Sequence, residues 1–181
     1  MLFVGDDKMG VKKPVINTGD IVFTRSNTLI GWLIRKITNG YYEHVALVIG
    51  VESLDHGADY VLVAEAQWGG FVITKYPKDY IYYRCGLGRV FPSLDSGQRE
   101  FIRSRTLQLL GKKYDFRALW KIFKMLIFKK DLEYDNVNKV ICSEAVAVIY
   151  KGLGVQFVAK PIGLVTPADI ERSDEVSFLN K

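Results

Sequence analysis

Cysteine and histidine are scarce here, two of each in 181 residues. Two cysteines cannot build a disulfide framework, so a packed core must hold the fold, and the thiols are expected to be reduced. No basic leader followed by a short apolar stretch and a small-residue cleavage site is recognisable, which makes the expected location cytoplasmic. Long apolar runs are missing as well. The best stretch, Leu119 to Phe128, is cut by Lys121 and Lys124 and falls short of the roughly 20 residues a spanning helix needs. Spacings of the C-x-x-C or H-x-x-x-H kind are absent, which disfavours a zinc site built from Cys85, Cys142, His44 and His56. No metal or organic cofactor is therefore expected. The net charge of +5 is diffuse and accompanies no nucleic-acid-binding motif, so no nucleic-acid partner is expected.

What is present reads as one globular domain. Apolar residues make up 49% and charged residues 25%, far from the composition of disordered chains. Met1 to Lys13 lacks periodicity and reads as a flexible tail, with a single domain over 14–181. Thr18-Gly19-Asp20 is a turn signal before a short strand at Ile21 to Thr24. Leu29, Ile30, Leu33, Ile34 and Ile37 recur at helical spacing, with Arg35 and Lys36 on the other side, Ser26 or Asn27 as a cap, and Asn39-Gly40 as the stop. His44 to Val51 and Tyr60 to Ala66 are apolar on both phases of the alternation, as strands covered on both faces are. Phe71 to Thr74 and Tyr80 to Cys85 read as further strands. The second half turns helical from Ser96 to a stop at Gly111, again over Phe116 to Lys130, and again from Cys142 to Tyr150, with a short strand expected around Gln156 to Val158.

Cys142 carries the strongest chemical signal. An apolar lead-in, Val140-Ile141, meets what reads as the opening turn of a helix, where unpaired backbone N–H groups and the macrodipole stabilise a thiolate. The alternative is a small buried hydrophobe. Cys85 ends an aromatic segment and leads into Gly86, so it reads as structural. His44 opens a buried strand and is placed to act as a base at the rim of a sheet, or else is a satisfied structural histidine. His56, in an Asp/Gly turn, reads as surface. Glu65 puts a carboxylate inside an apolar strand, where it needs a partner unless it points to water from an edge. A suitable hairpin register would set His44 and Glu65 on one face. Thiol, imidazole and orienting acid are the parts of a nucleophilic triad, here in the order His, Glu, Cys.

Six segments in sequence carry a family resemblance: Gly19-Asp20-Ile21-Val22-Phe23, His44-Val45-Ala46-Leu47-Val48, Glu65-Ala66, Gly111-Lys112-Lys113-Tyr114-Asp115, Cys142-Ser143-Glu144 and Thr166-Pro167-Ala168-Asp169-Ile170. Together they resemble the circularly permuted branch of the NlpC/P60 papain-like superfamily, its YiiX/YaeF-type group in particular, and more distantly the lecithin retinol acyltransferase-like proteins. The resemblance spans Gly19 to Ser173. It implies an α+β, permuted papain-like fold, with an antiparallel sheet or small barrel packed against helices. It also implies Cys142 as nucleophile, His44 as general base, Glu65 as orienting acid, and Tyr114 and Ser143 on the substrate side. Many relatives carry Gly two places after the histidine, where this chain has Ala46.

The expected activity is hydrolysis of an amide or ester in a peptide, small-molecule or lipid-like acyl substrate, through a thioester. Acyl transfer to an amine or lipid, and a non-catalytic binding role, are the competing expectations. The insert Phe116 to Lys130 combines four lysines and an arginine with bulky apolar residues. It reads as a helix packed on the core with its lysines reaching water, or as a peripheral membrane contact.

Overall fold

Residues 13–53, 59–67, 69–112 and 142–180 are described by the computed structural model. Strands β1 (Ile21–Thr24), β2 (His44–Ser53), β3 (Asp59–Gln67), β4 (Gly70–Pro77), β5 (Gly86–Val90) and β6 (Val176–Phe178) form one sheet in the order β4-β3-β2-β1-β5-β6. Every neighbouring pair is antiparallel. The helices are α1 (Leu29–Thr38), α2 (Lys78–Arg84), α3 (Ser96–Leu109), α4 (Cys142–Lys151) and α5 (Pro167–Glu171), with a 3-10 turn at Ile162–Leu164. The class is α+β, and among the described residues the sheet stays open, not closed into a small barrel.

Both sheet faces are covered, as the double-phase apolar pattern of β2 and β3 requires. On one face Phe23, Val45, Leu47, Ala64 and Phe71 meet Ile102 and Leu109 of α3 and Val146, Ile149 and Tyr150 of α4. On the other, Val22, Ala46, Val48, Val61, Val63 and Leu87 meet Ile81 of α2 and Cys85. The strand-end turn before β1 is fixed from both sides. Gly19 sits at φ +94, where an added Cβ would lie 2.4 Å from Leu94 Cδ1, and the Tyr150 hydroxyl donates to its carbonyl.

Four elements differ from the sequence reading. Tyr80 to Cys85, read as a strand, lies mostly in α2. Its burial recurs once per turn, with Ile81 fully buried while Tyr80 and Tyr83 are exposed, so packing of Ile81 and Cys85 on the second core overrides the aromatic strand propensity. β5 was hidden by its glycines. Gly86 is needed because a Cβ there would stand 2.4 Å from the Tyr42 hydroxyl. No strand forms at Gln156 to Val158; Phe157 is buried there in irregular chain, and β6 pairs with β5 further on. The cap of α1 is Thr28, whose hydroxyl accepts from the Gly31 N–H, and not Ser26 or Asn27.

The apolar stripe of α1 is not its most buried face: Leu33, Ile34 and Ile37 are only half-buried. Leu29, Ile30 and Trp32 are exposed, and Gly31 is the buried residue of the helix. The reason is Glu43, a buried carboxylate that accepts from the Ser26 N–H and the Arg35 guanidinium. A charge in that position must be paired, so α1 turns Arg35 inward and presses its backbone at Gly31 against Glu43. Lys13, assigned to the tail by sequence, is held at α2 by Asp79 at 3.1 Å and lies over the Tyr82 and Tyr83 rings.

Candidate active site

The β2–β3 register decides which side chains meet. Val48 pairs with Val63, and Leu47 with Ala64, so His44 and Glu65 fall on one face at the same end of the sheet. His44 Nε2 lies 3.0 Å from Glu65 Oε2. The other carboxylate oxygen, Oε1, accepts from the Gln67 amide at 2.9 Å and from the Tyr76 hydroxyl at 2.8 Å. Glu65 is thus buried but fully engaged. Gln67 lies two residues along the same strand, and β4 brings Tyr76 to the same face by pairing it with Val61.

Cys142 arrives from the other layer. It is the first residue of α4, which packs against the opposite face of the sheet, and its thiol reaches the His44 imidazole within hydrogen-bonding distance. Since Nε2 is taken by Glu65, Nδ1 is left to the sulfur. The backbone N–H groups of Val45 and Ser143 also point at the sulfur. The three side chains therefore run in line, carboxylate to imidazole to thiol.

The electrostatics favour an ion pair. Burial pushes the Cys142 thiol up, but the neighbouring imidazole and the two backbone donors outweigh it and hold the group below the ordinary thiol range. Burial works against charge on His44 too, yet the thiolate and Glu65 beside it raise its pKa to about 10. Glu65 is opposed by desolvation and held at about 2 by His44, Thr74 and Tyr76. Cys85 differs in kind: burial and the Glu65 charge push its thiol up to about 12, which leaves it a protonated core residue.

Ser143 is buried, and its hydroxyl donates to the Val165 carbonyl at 2.6 Å, so it faces the site only through its N–H. Tyr114, His56 and the insert Phe116 to Lys130 lie outside the described residues. Sequence reasoning passed over Gln67, Tyr76 and the Val45 N–H. Gln67 was legible as a same-face neighbour of Glu65, whereas Tyr76 depends on the β3–β4 register. The Asp20 of the recognised turn is a structural anchor: its buried carboxylate takes a two-pronged bond from Arg89 at 2.7 and 2.8 Å. Thr166 and Asp169 form the capping box that starts α5.

Fold and site together describe an α+β protein with thiol, imidazole and carboxylate aligned at one end of an antiparallel sheet. No protein-family model matches the chain, and no curated protein sequence matches it. Among solved structures it is similar to one described as the metalloprotein yiiX from Escherichia coli O157:H7, DUF1105, with a TM-score of 0.63 and 20% sequence identity over 94% of this chain and 98% of that one. The fold is therefore YiiX-like. That neighbour is called a metalloprotein; among the described residues here, no three His, Cys, Asp or Glu side chains gather in a way that would hold a metal ion. Cys142 and Glu65 sit on either side of the imidazole and do not converge on a common point.

Proposed function

We propose that this protein is a thiol hydrolase that cleaves an amide or ester bond through a thioester, on a circularly permuted papain-like framework of the NlpC/P60 kind. The observation that carries the reading is the contact between the Cys142 thiol and a His44 imidazole already bonded to Glu65. In the resting pair the sulfur is anionic and the imidazole protonated. The thiolate attacks the acyl carbon, and its backbone N–H, one of the unpaired donors of the first turn of α4, receives the developing oxyanion. Collapse expels the leaving amine or alcohol, which takes the His44 proton. The neutral imidazole then removes a proton from water, the hydroxide adds to the thioester, and release of the acid returns the thiolate and the imidazolium. Glu65 holds the ring with Nδ1 toward the sulfur and stabilises its charge.

The test is labelling with a thiol-reactive acyl probe. Cys142→Ala should abolish labelling while circular dichroism stays unchanged, because the thiol of Cys85 is protonated and buried. Labelling that persists in Cys142→Ala would defeat the assignment. Alkylation of Cys142 with the pH profile of an ordinary free thiol would point instead to a binding protein without turnover.

A further inference from the structure

A groove of about 580 Å³ is walled by the tyrosines Tyr41, Tyr42, Tyr80 and Tyr83 and by Arg25 and Arg84, with the largely buried Cys85 at its edge. Chain connectivity and one chain of contacts tie it to the site. Arg25 directly follows Thr24, the residue paired with His44 across the β1–β2 ladder. Tyr42 lies two residues before His44. Tyr80 stacks on Tyr76 with ring centroids 5.4 Å apart, and Tyr76 donates to Glu65.

The charges in this groove are one-sided. The Arg25 guanidinium lies 4.2 Å over the Tyr41 ring, which occupies its face and leaves its N–H edge for a ligand. Arg84 is exposed in the last turn of α2. Neither has a carboxylate partner among the described residues, whereas Arg35 and Arg89 are each ion-paired. The nearby Glu171 carboxylate accepts from the backbone N–H groups of Tyr41 and Tyr42 at 3.0 and 3.4 Å. Burial holds the Tyr42 phenol protonated, so it remains a hydrogen-bond donor. Two guanidinium groups sharing one cavity repel each other, and an oxyanion between them would remove that repulsion while gaining charge-assisted bonds. The tyrosine faces add flat apolar surface for a ring or a planar amide.

We propose that this groove is the substrate subsite of the thiol centre, and that it selects acyl substrates bearing an oxyanion, a carboxylate or a phosphate, beside a flat or cyclic group. The inference rests on Cys142 being the nucleophile.

Alkylation of Cys142 in the intact protein provides the test, since the thiolate displaces iodide from any iodoacetyl compound and forms a C–S bond without needing the natural substrate. Two matched pairs separate the two sources of negative charge: N-iodoacetyl-tyrosine against N-iodoacetyl-tyrosinamide, and N-iodoacetyl-phosphoethanolamine against N-iodoacetyl-ethanolamine. In 0.15 M salt, where the Debye length of about 8 Å suppresses general steering, at least one anionic probe should react about tenfold faster than its neutral partner. In R25Q/R84Q that ratio should fall to near one, and R25K/R84K should keep part of it. Because each ratio is taken within one protein, a variant that merely loosens the fold slows both probes and leaves the ratio standing. Equal rates within both pairs in the unaltered protein, or a ratio that survives R25Q/R84Q, would overturn the subsite. Failure of the thiol assignment looks different: every probe would then react with the pH profile of an ordinary thiol.

Discussion

Glu65 is linked to Cys142 through His44, which makes its charge the most informative one to remove. In Glu65→Gln the imidazolium loses an anion that raises its pKa, so His44 should deprotonate at lower pH and stabilise the Cys142 thiolate less. Under the proposed hydrolysis, the alkaline limb of the pH profile, expected near the His44 pKa of about 10, should move down, and iodoacetamide alkylation of Cys142 at neutral pH should slow. A pH profile with the alkaline limb unmoved would show that Glu65 does not tune the imidazole. The three residues were legible in the sequence because there were so few thiols and imidazoles to choose from, and because a carboxylate in an apolar strand asks for a partner. Tyr76 was not legible, since nothing local shows that β4 carries its hydroxyl back to Glu65.

Among the elements, α1 shows how a buried charge overrules an amphipathic stripe. Leu29, at the head of its stripe, points outward and Arg35 inward, so substitutions at these two positions should rank opposite to what the sequence implies. Arg35→Ala leaves Glu43 buried without its cation and should cost about 3–5 kcal/mol. Leu29→Ser, at a side chain 77% exposed, should stay within about 0.5 kcal/mol. Urea unfolding midpoints of the two variants decide it; a larger loss for Leu29→Ser would mean that the stripe is packed in the folded protein. The same competition hid α2, where Ile81 and Cys85 are drawn to the core one turn apart, and β5, whose glycines weaken the strand pattern while letting Tyr42 lie against the sheet.

For the molecule as a whole, the site contributes to stability in a pH-dependent way. Glu65 is depressed from 4.5 to about 2, so its contribution is present above pH 4.5 and is lost as the pH falls through 2. His44 is raised from 6.5 to about 10, so its contribution is full below 6.5 and is lost as the pH rises through 10. Thermal unfolding midpoints should therefore drop between pH 4.5 and pH 2 in the unaltered protein and drop less in Glu65→Gln. Parallel acid profiles for the two proteins would show that the carboxylate does not carry this dependence. Core side chains pack on both sheet faces, so the site opens at the end of the sheet where β1 ends at Thr24, β2 begins at His44 and β3 ends at Gln67.

The sequence by itself determined the strands of the central hairpins, the α+β class and the three side chains worth joining, because periodicity and the cost of burying charge are local properties. Tertiary structure alone decided the hairpin register that puts Glu65 on the imidazole, the inward turn of Arg35, and the approach of α4 from the opposite face to bring its first thiol to His44. Those depend on which distant groups compete for the same partner, and no window of neighbouring residues contains that competition.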